Sequence, residues 1–550
     1  SEGWADFIGL YMSHLESDAG AGAYPVGVYA TDDPYFGIRR YPYSTDFGIN
    51  DLSFRHIQNG EPLPGGAPFI PSGDNNQVHN AGEIWATMMW GAYQALLDRS
   101  RGNDAAYSYA EARRRMADYI VMGMMLTPES ATYTESKDAI VAAATAVDIE
   151  DGRAVAEAFA RRGAGSCAVS PPRYVTDLVG VVEDFDVVPI SDLGRATVDD
   201  TIDPCDGDGV LDAGEVGVLN VVVENSGLVD LTTASLVVTT DTPGVTIVDA
   251  MPVAVPSVGA VGTTTIPISI SVDDTVTDIQ TLEFALRLTS PESCVTEVDA
   301  NVAVAMNFDE TRASSASDTV ETSVTAWTAE GPLAGQVWSR ESVSSLDHRY
   351  RAEVEDTTTD TAFVSPVLEV STTDRFAVIL QHAYSFVPPD VAGSDAGVIE
   401  ISRDGGTVWE DVIDYASFSY PGALASDAGT ALAGRPAFVG ESTGFPALES
   451  VVLDFDDRLA GETLLFRFRL ATGPANGLDI WLIDDIQFFG LDNTPFPSRE
   501  VDDGVCQEPP VAVVEPGGTL FPGDTGTLDA SASSDANDDP LTFAWTQTSG

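Results

Sequence analysis

The apolar residues of this 550-residue chain change their spacing near residue 170, and that change constrains what each part can fold into. Before it they recur every three or four positions, the period of one buried helix face. One such stripe runs from Glu2 to about Ser17 through Trp4, Phe7, Ile8, Tyr11 and Leu15. A second covers about Val78 to Ser100, with Ile84, Trp85, Met88, Met89, Tyr93, Leu96 and Leu97. A third spans about Ala105 to Leu126 and is closed by Pro128, and an alanine-rich fourth spans about Thr134 to Val147. A fifth begins after Asp151, a side chain suited to an N-cap, and ends at Gly163, suited to the residue that closes a helix. These segments predict a mostly α-helical lobe over residues 1–168.

After residue 170 the helical period is gone. Short runs rich in Val, Ile and Thr alternate with Gly, Pro, Asp and Ser turns, the pattern of β-sandwiches. Residues 169–192 read as a linker and 193–305 as one sandwich, with runs at 217–224 and 264–272. Residues 306–495 read as a larger unit, with runs at 375–380, 464–470 and 480–489. A second linker, 496–509, leads into a partial strand-rich module at 510–550. The expected fold class is therefore multidomain: a mostly helical lobe followed by all-β sandwich and jelly-roll modules. At roughly 100–200 residues per domain, the length implies about three to five domains.

Charge narrows the partners. There are 86 acidic and 26 basic side chains, a formal net charge of −60, while 44% of residues are apolar. The apolar fraction excludes a wholly disordered acidic chain. The charge argues against nucleic acid and against an anionic membrane surface, which need clustered cations. Lys137 is the single lysine. Such a balance fits GC-rich codon usage with export, or adaptation to high salt, and composition does not separate the two. No apolar run reaches the length of a membrane span. The chain starts without Met, a basic n-region or a signal-type apolar stretch, and its last residues read as the inside of a strand. The expectation is an internal piece of a longer protein.

The four cysteines, Cys167, Cys205, Cys294 and Cys506, lack CxxC spacing, which disfavours a structural zinc site and favours disulfides in an oxidising compartment. Cys205 and Cys294 fall at the two ends of one expected β domain and are paired on that ground. Cys167 with Cys506 then follows by elimination.

Two constellations in the helical part could carry chemistry. Glu2 and Asp6 stand four apart on one helix face, a spacing that also suits a solvated surface. Gly3 beside Glu2 permits close approach of another element. In 74–79, Asp-Asn-Asn-Gln-Val-His, a polar loop runs into a helix start. A helix N-terminus pushes His79 toward its neutral form unless a carboxylate supports its charge, and Asp74 is the candidate. A histidine so supported can stabilise a developing oxyanion. An ordinary capping-region histidine is the alternative.

The segments 2–7 (Glu-Gly-Trp-Ala-Asp-Phe), 37–44 (Gly-Ile-Arg-Arg-Tyr-Pro-Tyr-Ser), 78–88 (Val-His-Asn-Ala-Gly-Glu-Ile-Trp-Ala-Thr-Met) and 158–165 (Ala-Phe-Ala-Arg-Arg-Gly-Ala-Gly) occur in the order and spacing of one known lobe. Together they resemble the catalytic C-terminal lobe of fungalysin-type zinc metallopeptidases, secreted relatives of the thermolysin group. The resemblance covers about residues 1–165. It implies that Glu2 is the third zinc ligand and that Asp6 orients a ligand histidine. It implies that His79 stabilises the tetrahedral transition state with Asp74 as its carboxylate. Arg39 matches the arginine that bonds the substrate carbonyl, with Arg40 competing for that role. The implied reaction is hydrolysis of peptide bonds in protein or peptide substrates by a zinc-activated water.

The departure from the family pattern is as informative. The five histidines are His14, His56, His79, His348 and His382, and no pair forms His-Glu-x-x-His. Two of the three zinc ligands and the general base are absent, and they are expected upstream of Ser1. A catalytic zinc takes three protein ligands, so this chain alone is expected to be inactive. The rival reading, from another class, is a secreted or surface-attached adhesive protein with an inactive peptidase-like lobe.

The loop 206–215, Asp-Gly-Asp-Gly-Val-Leu-Asp-Ala-Gly-Glu, offers oxygen ligands at alternating positions with glycines for a tight wrap. It suggests a structural calcium ion on Asp206, Asp208, Asp212 and Glu215, against the alternative of an acidic turn. The spacing is not that of an EF-hand, because Gly217 stands where the final Glu would. Residues 481–488 resemble the closing strand of jelly-roll domains appended to secreted peptidases and adhesins, which bind carbohydrate or protein or act as spacers. Residues 528–545 resemble immunoglobulin-like repeats of the polycystic-kidney-disease type.

Overall fold

The computed structural model describes residues 2–502 apart from 66–73, 204–206, 390, 392 and 474–476; beyond 510 it describes 511–513, 515–516, 528–534, 541 and 543. The change of period near residue 170 is a change of architecture, from helices to antiparallel sheets.

The lobe contains α1 (Glu2–Ser13), a single turn α2 (Val28–Thr31), α3 (Val78–Arg99), α4 (Tyr109–Leu126), α5 (Tyr133–Val147) and α6 (Ile149–Ala160). Helix α3 is its axis. Its apolar side chains, from Ile84 and Trp85 through Trp90 to Leu97, are almost wholly buried against α1, α4, α5 and α6. Caps set most of the boundaries. Ser108 accepts from the Glu111 amide at the start of α4, and Thr132 forms a capping box with Glu135 at the start of α5. Helix α1 ends at Ser13, short of Ser17, and the buried His14 turns inward to Tyr109 and Gln94.

Asp151 is not the N-cap of the last helix. Asp148 is, accepting from the Glu150 amide at 2.9 Å. Asp151 lies one turn further on and is fully buried, bonded by Tyr107 and Tyr119 and ion-paired with Arg99 and Arg115. A carboxylate with that many donors is worth more inside than on a helix end.

Gly163 adopts a left-handed φ of 83° and turns the chain out of α6. The stretch expected as a linker, 169–192, instead lies along the lobe. Val169 bridges Val182, the Asn59 amide donates to Asp177, and the Arg55 amide donates to Glu183.

The first sandwich packs two four-stranded antiparallel sheets. One has the order β1 (Ser191–Asp203), β2 (Val216–Asn225), β6 (Gly262–Val272), β4 (Val245–Ile247). The other has β5 (Val253–Val255), β3 (Ala234–Thr239), β7 (Gln280–Thr289), β8 (Glu297–Met306). Every second residue of β2, β6 and β7 is buried between the sheets, the period-2 pattern read as sequence.

The disulfide joins Cys167 to Cys294, which overturns the expected Cys205–Cys294 pair and, with it, Cys167–Cys506. The reason is spatial. Cys294 sits in the β7–β8 turn, beside the place where the chain enters β1: the Ser191 amide donates to Ser293 Oγ at 3.0 Å. The segment carrying Cys167 arrives at that same end. Cys205 and Cys506 lie outside the described residues.

The second sandwich has one sheet in the order Trp338–Ser342, His348–Glu355, Leu478–Phe489, Phe376–Ser385, Glu449–Asp456, and another in the order Thr328–Glu330, Thr359–Val364, Thr463–Thr472, Ala396–Ser402, Glu410–Asp411. Its core is aromatic: Trp327, Trp338 and Trp481 are buried among Phe363, Phe466 and Phe468. These tryptophans are therefore core, not sugar-stacking surface. The linker expected over 496–509 begins as a strand, Phe496–Val501, paired with Phe308–Ser315. Beyond it, Glu515–Pro516 pairs with Leu528–Asp529. Trp545 lies outside the described residues.

Candidate functional site

Helices α1 and α3 cross with backbone against backbone. A methyl added to Gly3 would lie 2.3 Å from the Gly82 carbonyl oxygen, and one added to Gly82 would lie 2.6 Å from the Gly3 nitrogen. Only glycine fits both positions. Trp4 packs edge-to-face on Trp85 at 5.2 Å beside the crossing. This contact places the first turn of α1 beside the first turn of α3, and His79 Nδ1 meets Glu2 Oε2 at 2.9 Å. The side chains are 49% and 36% exposed, so the pair faces solvent. Glu2 also lines a cleft of about 380 Å³ together with Trp4, Val78, Trp85 and Tyr133. The sequence marks Trp85 only as a position of the buried stripe and does not mark Tyr133, because core aromatics and cleft aromatics share one helical period. A larger cavity, about 440 Å³, lies elsewhere, between α5, α6 and the first sandwich.

Gln77 is the N-cap of α3 and accepts from the His79 and Asn80 amides. Asp74 is exposed. Its backbone carbonyl accepts from Asn80 Nδ2 at 3.0 Å and from the Gln77 amide at 3.0 Å. The carboxylate that stands on the His79 ring here is Glu2, not Asp74.

Beneath the surface, two consecutive arginines point to opposite helices. Arg39 grips Asp6 of α1 with Nε at 2.5 Å and Nη2 at 2.8 Å, and Tyr43 Oη donates to the same carboxylate at 2.5 Å. Arg40 donates to Glu83 of α3 at 2.6 Å, to Asn75 Oδ1 at 2.8 Å and to the Asn80 carbonyl at 2.8 Å. All four charged groups are buried. Burial pulls the Arg39 guanidinium down, but its bonds to Asp6 and the nearby Tyr43 outweigh that and leave it raised. Burial likewise pushes Tyr43 far up, reinforced by Asp6. Glu83 is raised by burial against the pull of Arg40. The pair of arginines thus clamps 37–44 between α1 and α3 and holds the helix starts in register. A third arginine, Arg162, is buried against the carbonyls of Ser44, Asn50 and Leu52, and burial lowers it to about 10.

Among the described residues, no group of three or more His, Cys, Asp or Glu stands close enough together to hold a metal ion. Glu2 and His79 bring two donors where a protein zinc site takes three, so these residues alone do not complete one. His14 and His56 are buried away from the cleft, and burial lowers both. In the expected calcium loop, Asp206 lies outside the described residues. Asp208 is exposed and accepts from the Val210 amide, while Asp212 and Glu215 are buried, with the Asp212 amide donating to Glu215.

Residues 1–168 match the fungalysin metallopeptidase (M36) family model. The chain is 29% identical over 174 residues to the extracellular metalloproteinase mep of Aspergillus terreus, covering 30% of this chain and 25% of that protein. It is 30% identical over 182 residues to extracellular metalloproteinase 3 of Arthroderma otae, covering 32% of this chain and 26% of that one. The chain therefore spans about a quarter of the length of these relatives. Among solved structures, it is similar to the secreted serine protease VesC of Vibrio cholerae, with 9% identity, TM-score 0.18, and coverage of 51% of this chain and 48% of that one. It is also similar to the K1 cleaved adhesin domain of Lys-gingipain of Porphyromonas gingivalis, with 12% identity, TM-score 0.19, and coverage of 31% and 95%. Scores this low bear on neither fold nor function.

Proposed function

We propose that residues 1–168 are the C-terminal lobe of an extracellular zinc metalloendopeptidase acting on protein or peptide substrates. The β modules at 193–305, 306–495 and 510–550 would be appended spacers or binding modules. The observation that carries this reading is the Glu2–His79 pair, brought together by the Gly3–Gly82 crossing with Glu2 on the cleft, within the segment that matches the metallopeptidase family. Two further zinc ligands and the general base come, on this reading, from a segment outside these 550 residues. Zinc would supply a polarised water.

This chain's own residues then have separate tasks. Glu2 presents a carboxylate to the metal. His79 donates to the oxyanion from the ring nitrogen that Glu2 does not hold, and Asp74 is the loop carboxylate left to support that ring once Glu2 is engaged. Asp6 fixes α1, and through it Glu2. Arg39 keeps Nη1 off Asp6, and that is the nitrogen assigned to the substrate carbonyl. The loop 206–215 would hold a structural calcium ion through Asp206, Asp208, Asp212 and Glu215.

The test uses the parent chain that includes a His-Glu-x-x-His segment, with casein as substrate. His79→Ala should lower kcat by about 10²–10³ with zinc content unchanged, the size expected for one oxyanion donor. Glu2→Gln should lose the zinc itself, read as metal content. Equal cleavage with and without His79 removes the assigned role. A parent chain without any such segment favours the adhesive reading.

A further inference from the structure

Among the described residues, four buried carboxylates face an arginine. Asp6 has Arg39, Glu83 has Arg40, Asp151 has Arg99 and Arg115, and Glu400 has Arg435 and Arg467. Asp318 has three neutral donors instead, the Val320 amide, Trp327 Nε1 and Tyr350 Oη. A pair of aspartates in the second sandwich has neither arrangement. Asp395, just before the strand Ala396–Ser402 of one sheet, and Asp479, in the strand Leu478–Phe489 of the other, are 0% and 3% exposed. Their carboxyls come within hydrogen-bonding reach of each other. Each has a single backbone donor, the Gly473 amide on Asp395 Oδ1 and the Val387 amide on Asp479 Oδ1. Asp395 Oδ2 and Ser394 Oγ, both fully buried, meet no hydrogen-bond partner. Among the described residues, no Arg, Lys or His forms an ion pair with either aspartate.

We propose that Asp395 and Asp479 are the carboxylate ligands of a calcium ion bound between the two sheets of the second sandwich, facing the unpartnered Asp395 Oδ2. Two abutting carboxylates in a dry site repel unless a proton or a cation lies between them. The available donors are all oxygens, with no thiol or imidazole among them, which selects a hard cation. Calcium tolerates the irregular mixture of carboxylate, hydroxyl and backbone oxygens that a sheet end provides. The backbone is already drawn in: a methyl on Gly473 would lie 2.1 Å from the Gly393 carbonyl oxygen, so only glycine lets those two loops close on the aspartates. The site is separate from the loop 206–215 and independent of the peptidase reading.

The 550-residue protein, stripped with EGTA and re-equilibrated at pH 7 with calcium, tests this. Bound calcium is counted by elemental analysis in the wild type, Asp395→Asn, Asp479→Asn and, as a control at an exposed carboxylate of the same sandwich, Asp427→Asn. Both Asn variants at 395 and 479 should lose one calcium per chain that Asp427→Asn keeps. Calcium should raise the melting midpoint of the second sandwich by roughly 5 °C in the wild type and not in Asp395→Asn. Should those variants not fold, hydrogen exchange on the wild type decides. The amides of Val387 and Gly473 should exchange at least 10-fold more slowly with calcium than with EGTA. Equal calcium content in wild type and both Asn variants, or unchanged exchange at those amides, overturns the proposal.

Discussion

Replacing Asp6 by Ala isolates the clamp beneath the Glu2–His79 pair. The substitution removes the acceptor of two Arg39 bonds and one Tyr43 bond, and the pair's side chains are 8% and 6% exposed, so water repairs little. Removing one partner of a buried ion pair costs about 3–5 kcal/mol, and a tyrosine hydroxyl left without its acceptor adds about 1 kcal/mol. Against a typical total of about 5–15 kcal/mol, that is a large share of what holds a lobe of this size. A melting shift of about 2–4 °C per kcal/mol puts the loss at roughly 10–20 °C. A multidomain chain has no single unfolding free energy, so the readout should be local: hydrogen exchange in α1 and α3, where opening free energies should fall by about 4–6 kcal/mol while the sandwiches are unaffected. The double variant Asp6→Leu with Arg39→Met removes both charges together and should recover most of the loss. The reasoning is refuted if Asp6→Ala costs under about 1 kcal/mol, the value of an exposed pair, or if the double variant is no better than the single one.

Cleavage at arginine without reduction should release 163–173 linked to 288–312, because Cys167 is bonded to Cys294; recovery of both peptides unlinked would contradict that connectivity. Cys167→Ser should destabilise the joined modules by about 4–5 kcal/mol in the chain-entropy model, given the sequence separation of 127. His382 is buried in the second sandwich, accepts from Trp481 Nε1, and is lowered to about 4 by burial. Its folded value lies below the unfolded one near 6.5, so its contribution is complete above about pH 6.5 and is lost as pH falls toward 4, by roughly 3 kcal/mol. His382→Gln, which cannot take up that proton, should flatten the decline in urea unfolding between pH 7 and 4.5; an unchanged slope would assign the acid sensitivity to other groups.

Legibility in the sequence followed the range of the forces involved. The helices and strands were readable because burial of one face imposes its own period: α3 was expected at Val78–Ser100 and runs Val78–Arg99, and the run expected at 264–272 lies within β6. The start of α6 was misplaced by three residues because Asp148 and Asp151 are equally good caps locally. Which of them goes inside depended on Arg99, Arg115, Tyr107 and Tyr119, which lie on other helices. The cysteine pairing failed for the same reason: sequence position marks module ends, whereas the bond requires two ends to meet in space. Among the candidate site residues, Glu2, Asp6, Arg39 and His79 were singled out from three short motifs, but which of them pair was not. The sequence placed Asp74 with His79, and the structure places Glu2 there.

The sequence by itself determined that a helical lobe precedes β-sandwiches, that the chain is strongly acidic, and that no His-Glu-x-x-His lies within it, since period, charge and motif are properties of the chain read in order. Only the tertiary structure decided which charges are neighbours. Arg39 and Arg40 are adjacent in sequence yet serve Asp6 and Glu83 on different helices, and Asp395 and Asp479 are 84 positions apart yet abut across two sheets. A side chain's reach is a few ångströms, so such pairings depend on which backbones are brought together, and no local pattern records that.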